Sequence, residues 1–194
     1  MKISEIKEYI YSIRFYILLS SLVFVGGAFA GYSFVYNFPE ETQQIVEEFK
    51  EFFASGEEMT QFQIFLFILK NNITKLFMIL LLGIFAGIIP LLASFANGMI
   101  LGIFGCLVTE SLSWQFFLAG ILPHGIIEIP VLILAVAIGM RIGKVAIWRI
   151  FGGKTEIKKE LAKALKFYII ILVPLLILAA AIEAFVTTKF LEMI

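Results

Sequence analysis

Twenty-two consecutive residues, Phe15 to Tyr36, carry no formal charge. Roughly twenty apolar residues cross the hydrocarbon core of a bilayer as a helix, and there only helices and closed barrels satisfy every backbone group without water. The stretch is therefore read as a first transmembrane span. Ala28-Phe29-Ala30 looks like a signal-peptidase site, but the apolar run continues past it, so a retained anchor is expected. From Ile73 to Val108 the only charge is Lys75; at about 1.5 Å per residue this length would reach about 54 Å as one helix, too far for one crossing. It must turn back once. Pro90 and the Ser94 to Gly98 stretch offer the turn, giving a second span near 73–92 and a shorter third near 95–110. Leu112 to Met140 is again overlong, and Pro123-His124-Gly125 divides it into a helical piece near 113–122 and a fourth span near 124–142. Phe167 to Thr188 is the fifth. The expected fold is all-α: a polytopic membrane bundle of about five helices, broken at Pro123-Gly125, forming a single membrane domain over residues 1–194. Composition agrees, since 61% of the residues are hydrophobic and 15% charged, against about 25% charged in soluble domains.

Charge between the spans sets an expected orientation. Residues 1–14 form a short charged amphipathic entry. Residues 37–72 hold seven glutamates against Lys50 and Lys70, whereas 141–166 hold eight basic residues against Glu156 and Glu160. Lys and Arg accumulate on cytoplasmic loops. The entry at 1–14 and the basic loop at 143–166 are therefore expected in the cytoplasm, and the acidic 37–72 loop and the C-terminus outside, in a multi-pass protein of the cell membrane. Within the acidic loop Ile45, Val46, Phe49, Phe52 and Phe53 recur at helical spacing, which suits an amphipathic helix on the outer surface. The basic loop suits anionic head groups or a membrane or envelope protein partner equally. Net charge is zero, which removes a nucleic-acid footprint, and the lone Cys106 excludes a disulfide framework within the chain.

Several short elements resemble the stage II sporulation protein M family: Lys70-Asn71-Asn72, Asn97-Gly98, Pro123-His124-Gly125-Ile126-Ile127-Glu128 with Gly139-Met140-Arg141-Ile142-Gly143 behind it, and Ile182-Glu183-Ala184-Phe185-Val186-Thr187. The resemblance covers residues 68–188, and the proline-histidine-glycine element ending in Glu128 is its most specific part. It implies a five-span membrane protein whose best-known members act beside sporulation proteins D and P in remodelling septal wall. The family extends to bacteria and archaea that make no spores, so the fold and motif carry over and the process does not.

Three ionisable residues inside the expected spans stand out. His124 and Glu128 are four apart, hence one turn apart on one helix face. Glu128 lies five residues from Pro123, and Glu183 five from Thr188, so under the expected topology both sit about 7 Å below the outer surface. Charged groups at membrane depth face the interior and a partner. Three readings follow for His124, Glu128 and Glu183: a hydrogen-bonded lock between helices, a site for zinc or another divalent metal, or a proton or ion relay. Asn71, Asn72, Asn97, Gly98, Pro123 and Gly125 are read as structural members of the motif, with Asn97 capping a helix near the cytoplasmic turn.

Four pairs of glycines four residues apart, Gly27-Gly31, Gly83-Gly87, Gly98-Gly102 and Gly139-Gly143, mark faces where backbones can approach closely. Packing inside the chain accounts for most of them, and one could serve a homodimer. The function expected from these features is a non-enzymatic membrane scaffold or assembly partner in envelope remodelling. The alternatives are a transporter or channel for ions or small solutes working through His124, Glu128 and Glu183, and, third, an intramembrane metal-dependent hydrolase. For the hydrolase no general base beyond these three residues is evident.

Overall fold

The computed structural model describes residues 1–54, 59–111, 114–154 and 156–187; the side chains of 49–54, 111, 116–124, 186 and 187 lie outside the description. Among the described residues every element is helical. They run α1 (Ile3–Asn37), α2 (Pro39–Ala54), α3 (Gln61–Leu82), α4 (Ile88–Ser111), α5 (Trp114–Ile150), α6 (Ile157–Phe167), a π-helical turn (Tyr168–Leu172), α7 (Val173–Ile182) and a second π-helical turn (Glu183–Thr187). Five stretches are long and apolar enough to cross a membrane: Ile3–Asn37, Gln61–Leu82, Ile88–Glu110, Gly125–Ile150 and Ile157–Phe185. The sequence predicts that number and the all-helical class. Side chains such as Phe15, Leu22, Phe29 and Leu92 project from the bundle, as hydrocarbon-facing residues should.

The first and last stretches begin earlier than expected, at Ile3 and Ile157, and two further differences bear on the site, each with a local cause. The second span starts twelve residues before Ile73, because Thr60 and Gln63 form a reciprocal cap: Gln63 N–H donates to Thr60 Oγ1 at 3.3 Å, and Thr60 N–H donates to Gln63 Oε1 at 2.8 Å. Its turn falls at 83–87, where Ala86 and Gly87 take φ of 58° and 74°. Pro90 then sits in the first turn of α4, where its missing N–H leaves no helical bond unmade. The second difference is at Pro123-Gly125, where a break was expected and α5 instead continues as one helix from Trp114 to Ile150. A single proline removes one backbone bond, and away from water the flanking bonds hold the helix together.

α5 is the axle of the bundle. Over half of its best membrane-crossing window is buried, against 22% for α1, α3 and α4, and it packs on α1, α3, α4, α6 and α7. Ile13, Leu76, Phe167, Leu172 and Leu176 are fully buried around it, as are its own Val136 and Ile138. Within the last span, Pro174 cannot donate to the carbonyl one turn back, and the helix widens into the π-helical turn at Tyr168–Leu172. The start of α1, the α3–α4 turn, the end of α5 and α6 share one end of the bundle, called here the basic end; α2 and the start of α3 lie at the other.

All four glycine pairs are consumed by contacts within the chain. A Cβ on Gly27 or Gly31 would lie 2.2 or 2.0 Å from the carbonyl oxygens of Phe95 and Met99, and one on Gly98 or Gly102 would lie 2.0 Å from those of Phe24 and Ala28. Gly83 and Gly143 press on α5 and on the α3–α4 turn in the same way, at 2.2 Å from Gly139 O and Gly87 N. A homodimer would have to use some other face.

Candidate intramembrane polar site

The capping box that lengthens α3 also carries its polar residues to mid-depth. Asn72 lies eleven residues after Gln61 and Lys75 fourteen, about 17 and 21 Å along the helix axis. At a separation of three they share a face, and that face meets α5. Asn72 Nδ2 donates to Glu128 Oε2 at 3.0 Å, and Lys75 Nζ lies 3.9 Å from Glu128 Oε1. Lys75 Nζ also donates to Asn97 Oδ1 of α4 at 3.2 Å. Asn97 is held for that role, because its Nδ2 donates to the Ala93 carbonyl one turn back at 2.7 Å, which leaves Oδ1 aimed at Lys75. Four polar side chains thus join three helices, with Asn72 and Glu128 buried. Beside them Tyr168 donates its hydroxyl to the Ile73 carbonyl at 2.6 Å, tying in the last span.

A lone charge at the bilayer centre costs about 2.5–3.5 kcal/mol on insertion scales. Lys75 and Glu128 answer each other, and Asn72 and Asn97 each add one bond to the pair. The side chain of Lys75 is about one-third exposed and that of Glu128 about one-tenth, so the lysine is the member of the pair nearer the surroundings.

Of the residues singled out in the sequence, Glu128, Asn72 and Asn97 come together. Asn97 belongs to the polar cluster, not to a helix start at the turn as expected, because α4 begins nine residues before it. Glu128 stands level with the middle of α3, where it meets Asn72. Asn71 is exposed, Gly125 is buried, and Gly98 presses on the Phe24 carbonyl of α1. The side chain of His124 lies outside the described residues. Glu183 opens the second π-helical turn, which packs on α3 and α5, and one of its carboxylate oxygens is fully buried. Among the described residues, which do not include the His124 side chain, no three His, Cys, Asp or Glu side chains gather as a metal site. Lys75 is the member that motif reading passed over. Its signal was present: it is the sole charge in thirty-six residues and stands three after Asn72.

A second polar cluster ties the basic end. Arg141 Nε donates to Glu160 Oε1 at 2.6 Å and its Nη1 to Ser12 Oγ at 2.6 Å, while Tyr9 donates its hydroxyl to the same Glu160 oxygen at 3.4 Å. Glu160 is buried. α1, α5 and α6 are thereby joined.

Residues 20–188 match the family described as Stage II sporulation protein M. This chain belongs to that family. An uncharacterized protein of Methanocaldococcus jannaschii is 34% identical over 130 residues, which are 65% of this chain and 56% of that protein. The match therefore spans little more than half of the relative's length. No solved structure matches the chain. The part of this Stage II sporulation protein M family member that matches includes Asn72, Lys75, Asn97 and Glu128, and stops short of the charged start of α1.

Proposed function

We propose that this chain is a non-enzymatic membrane scaffold or assembly partner in envelope remodelling, with residues 1–14 and the 143–166 segment in the cytoplasm and the C-terminus outside. One observation carries the reading: the charge of Glu128 at mid-depth is answered within the chain by Lys75 and Asn72, and Lys75 is bonded in turn to Asn97. Groups closed on one another fix the relative places of α3, α4 and α5. That is the work of a frame on which other membrane proteins assemble. Family membership and the charge asymmetry of the loops support it.

Transport of protons or ions is the second reading, favoured by the partial exposure of Lys75 and by His124 standing one turn from Glu128. Flux across proteoliposomes separates the two. A scaffold leaves proton, sodium and potassium gradients standing in both the native protein and Glu128→Gln. Dissipation that Glu128→Gln abolishes would replace the scaffold with a transporter. Metal analysis of the purified protein, native and His124→Ala, tests a divalent site and with it the metal-dependent hydrolase. Orientation is tested in a Cys106→Ala background: cysteines at Glu47 and Lys154 should react from opposite sides of the membrane, Glu47 from outside.

A further inference from the structure

Two clefts open at the basic end and share Ser12 and Arg141 on their walls. The larger, about 470 Å³, sets Glu5 and Glu8 against Lys163 and Lys166. The other, about 400 Å³, lies between α1 and α5, with Ser12, Phe15 and Tyr16 on one wall and Arg141, Lys144 and Trp148 on the other. None of the described residues lining it is acidic; the carboxylate that pairs with Arg141, that of Glu160, does not line this cleft, and Lys144 adds a second cation to its wall. Arg141 is held in place by Glu160 and Ser12, while Lys144 is exposed.

From Phe15 on its wall an apolar stripe leads out of the cleft. Phe15, Leu18 and Leu22 follow one another at spacings of three and four, hence on one face of α1, and all three are about 60% exposed or more. This stripe runs from the cations along the membrane-crossing part of the helix. Trp148, 59% exposed, stands at the mouth as an amphipathic ring suited to the head-group level. We propose that this groove holds one anionic membrane phospholipid, its phosphate on Lys144 and Arg141 and a hydrocarbon chain along Phe15, Leu18 and Leu22. Basic pockets between membrane helices suit anionic head groups, and the stripe adds what a free phosphate would not use. The site does not depend on the role of the interior cluster.

Native mass spectrometry of the full chain, loaded from mixed micelles of phosphatidylglycerol or phosphatidylcholine, tests this. Phosphatidylglycerol should remain bound at activation energies that strip phosphatidylcholine, and Lys144→Gln should lower its occupancy about fivefold, as expected for one basic residue near an anionic head group. Lys158→Gln, on the exposed face of α6 outside the groove, should leave occupancy unchanged. Equal retention of the two lipids would overturn the proposal, as would equal losses in the two variants. Displacement by millimolar inorganic phosphate would show a site for small anions and overturn the lipid assignment.

Discussion

The α1–α4 seam and the middle of the α3–α5 seam hold helices together by different means. Along the first, Gly27 and Gly31 interlock with Gly98 and Gly102, backbone against backbone, and Ser94 donates to the Ser20 carbonyl at 2.9 Å. Along the second, Gly83 and Gly139 bring backbones together only near the basic end, and at the middle of α3 an ion pair and an amide reach across. Apolar attraction between helices is absent in lipid, so association relies on close packing and hydrogen bonds. Small residues gain the first at no polar cost. Buried charges gain the second, with the liability that either partner alone is unfavourable. The glycine seam therefore fixes distance, while the polar seam fixes which faces meet.

Substitutions should expose that difference. The largest effect is expected for Glu128→Leu, which strands Lys75 and Asn72; breaking a buried pair costs about 3–5 kcal/mol, and with Lys75 one-third exposed the low end is expected, read as a fall in the denaturant midpoint in detergent. Adding Lys75→Met should return part of that loss, because the uncompensated charge goes with it, and a double-mutant cycle on the same assay measures how much. If the two losses simply add, the polar seam is not a pair. Next is Gly98→Leu, whose Cβ alone would meet the Phe24 carbonyl; overpacking typically costs about 1–3 kcal/mol. Here the upper end is expected, because the obstacle is backbone and α1 must move as a body, which cysteine cross-linking between α1 and α4 would report. Asn72→Leu keeps the ion pair and removes one donor, and should cost about 0.6–2 kcal/mol. Smallest is Tyr168→Phe, which removes the bond to the Ile73 carbonyl and should cost about 1 kcal/mol or less. A Tyr168→Phe loss as large as that of Glu128→Leu would mean that the last span, not α5, anchors α3.

The two seams were unequally legible in the sequence. Glycines four apart announce a close-packing face, but nothing in their spacing says which face receives it, and all four pairs found partners inside the chain. Asn72 and Asn97 were visible as motif members, yet were placed beyond or at the ends of spans. The errors came from taking the acidic loop to end at Asn72 and the following turn to lie at Pro90 to Gly98. Thr60 and Gln63 start α3 eleven residues earlier than that boundary, so Asn72 and Lys75 fall near the middle of α3, and because the turn comes at 83–87 and not at 94–98, Asn97 falls inside α4. A threonine followed three residues later by glutamine, ahead of Ile64 to Leu69, was a readable helix start. At Pro123-Gly125 the residues themselves suggested a break that the surrounding hydrogen-bond ladder did not make.

The sequence by itself determined that the chain is an all-helical membrane protein with five helices able to cross, because long uncharged stretches have no other low-energy arrangement in lipid. Its motifs also identified the family. Only the tertiary structure decided that Lys75 meets Glu128 and Asn97, that Gly27 and Gly31 meet Gly98 and Gly102, and that α5 lies at the centre. Hydropathy measures transfer of one segment into oil and is blind to rotation about the helix axis. Which faces meet is set by close contacts and directional bonds between residues distant in sequence, and those exist only once the helices are packed.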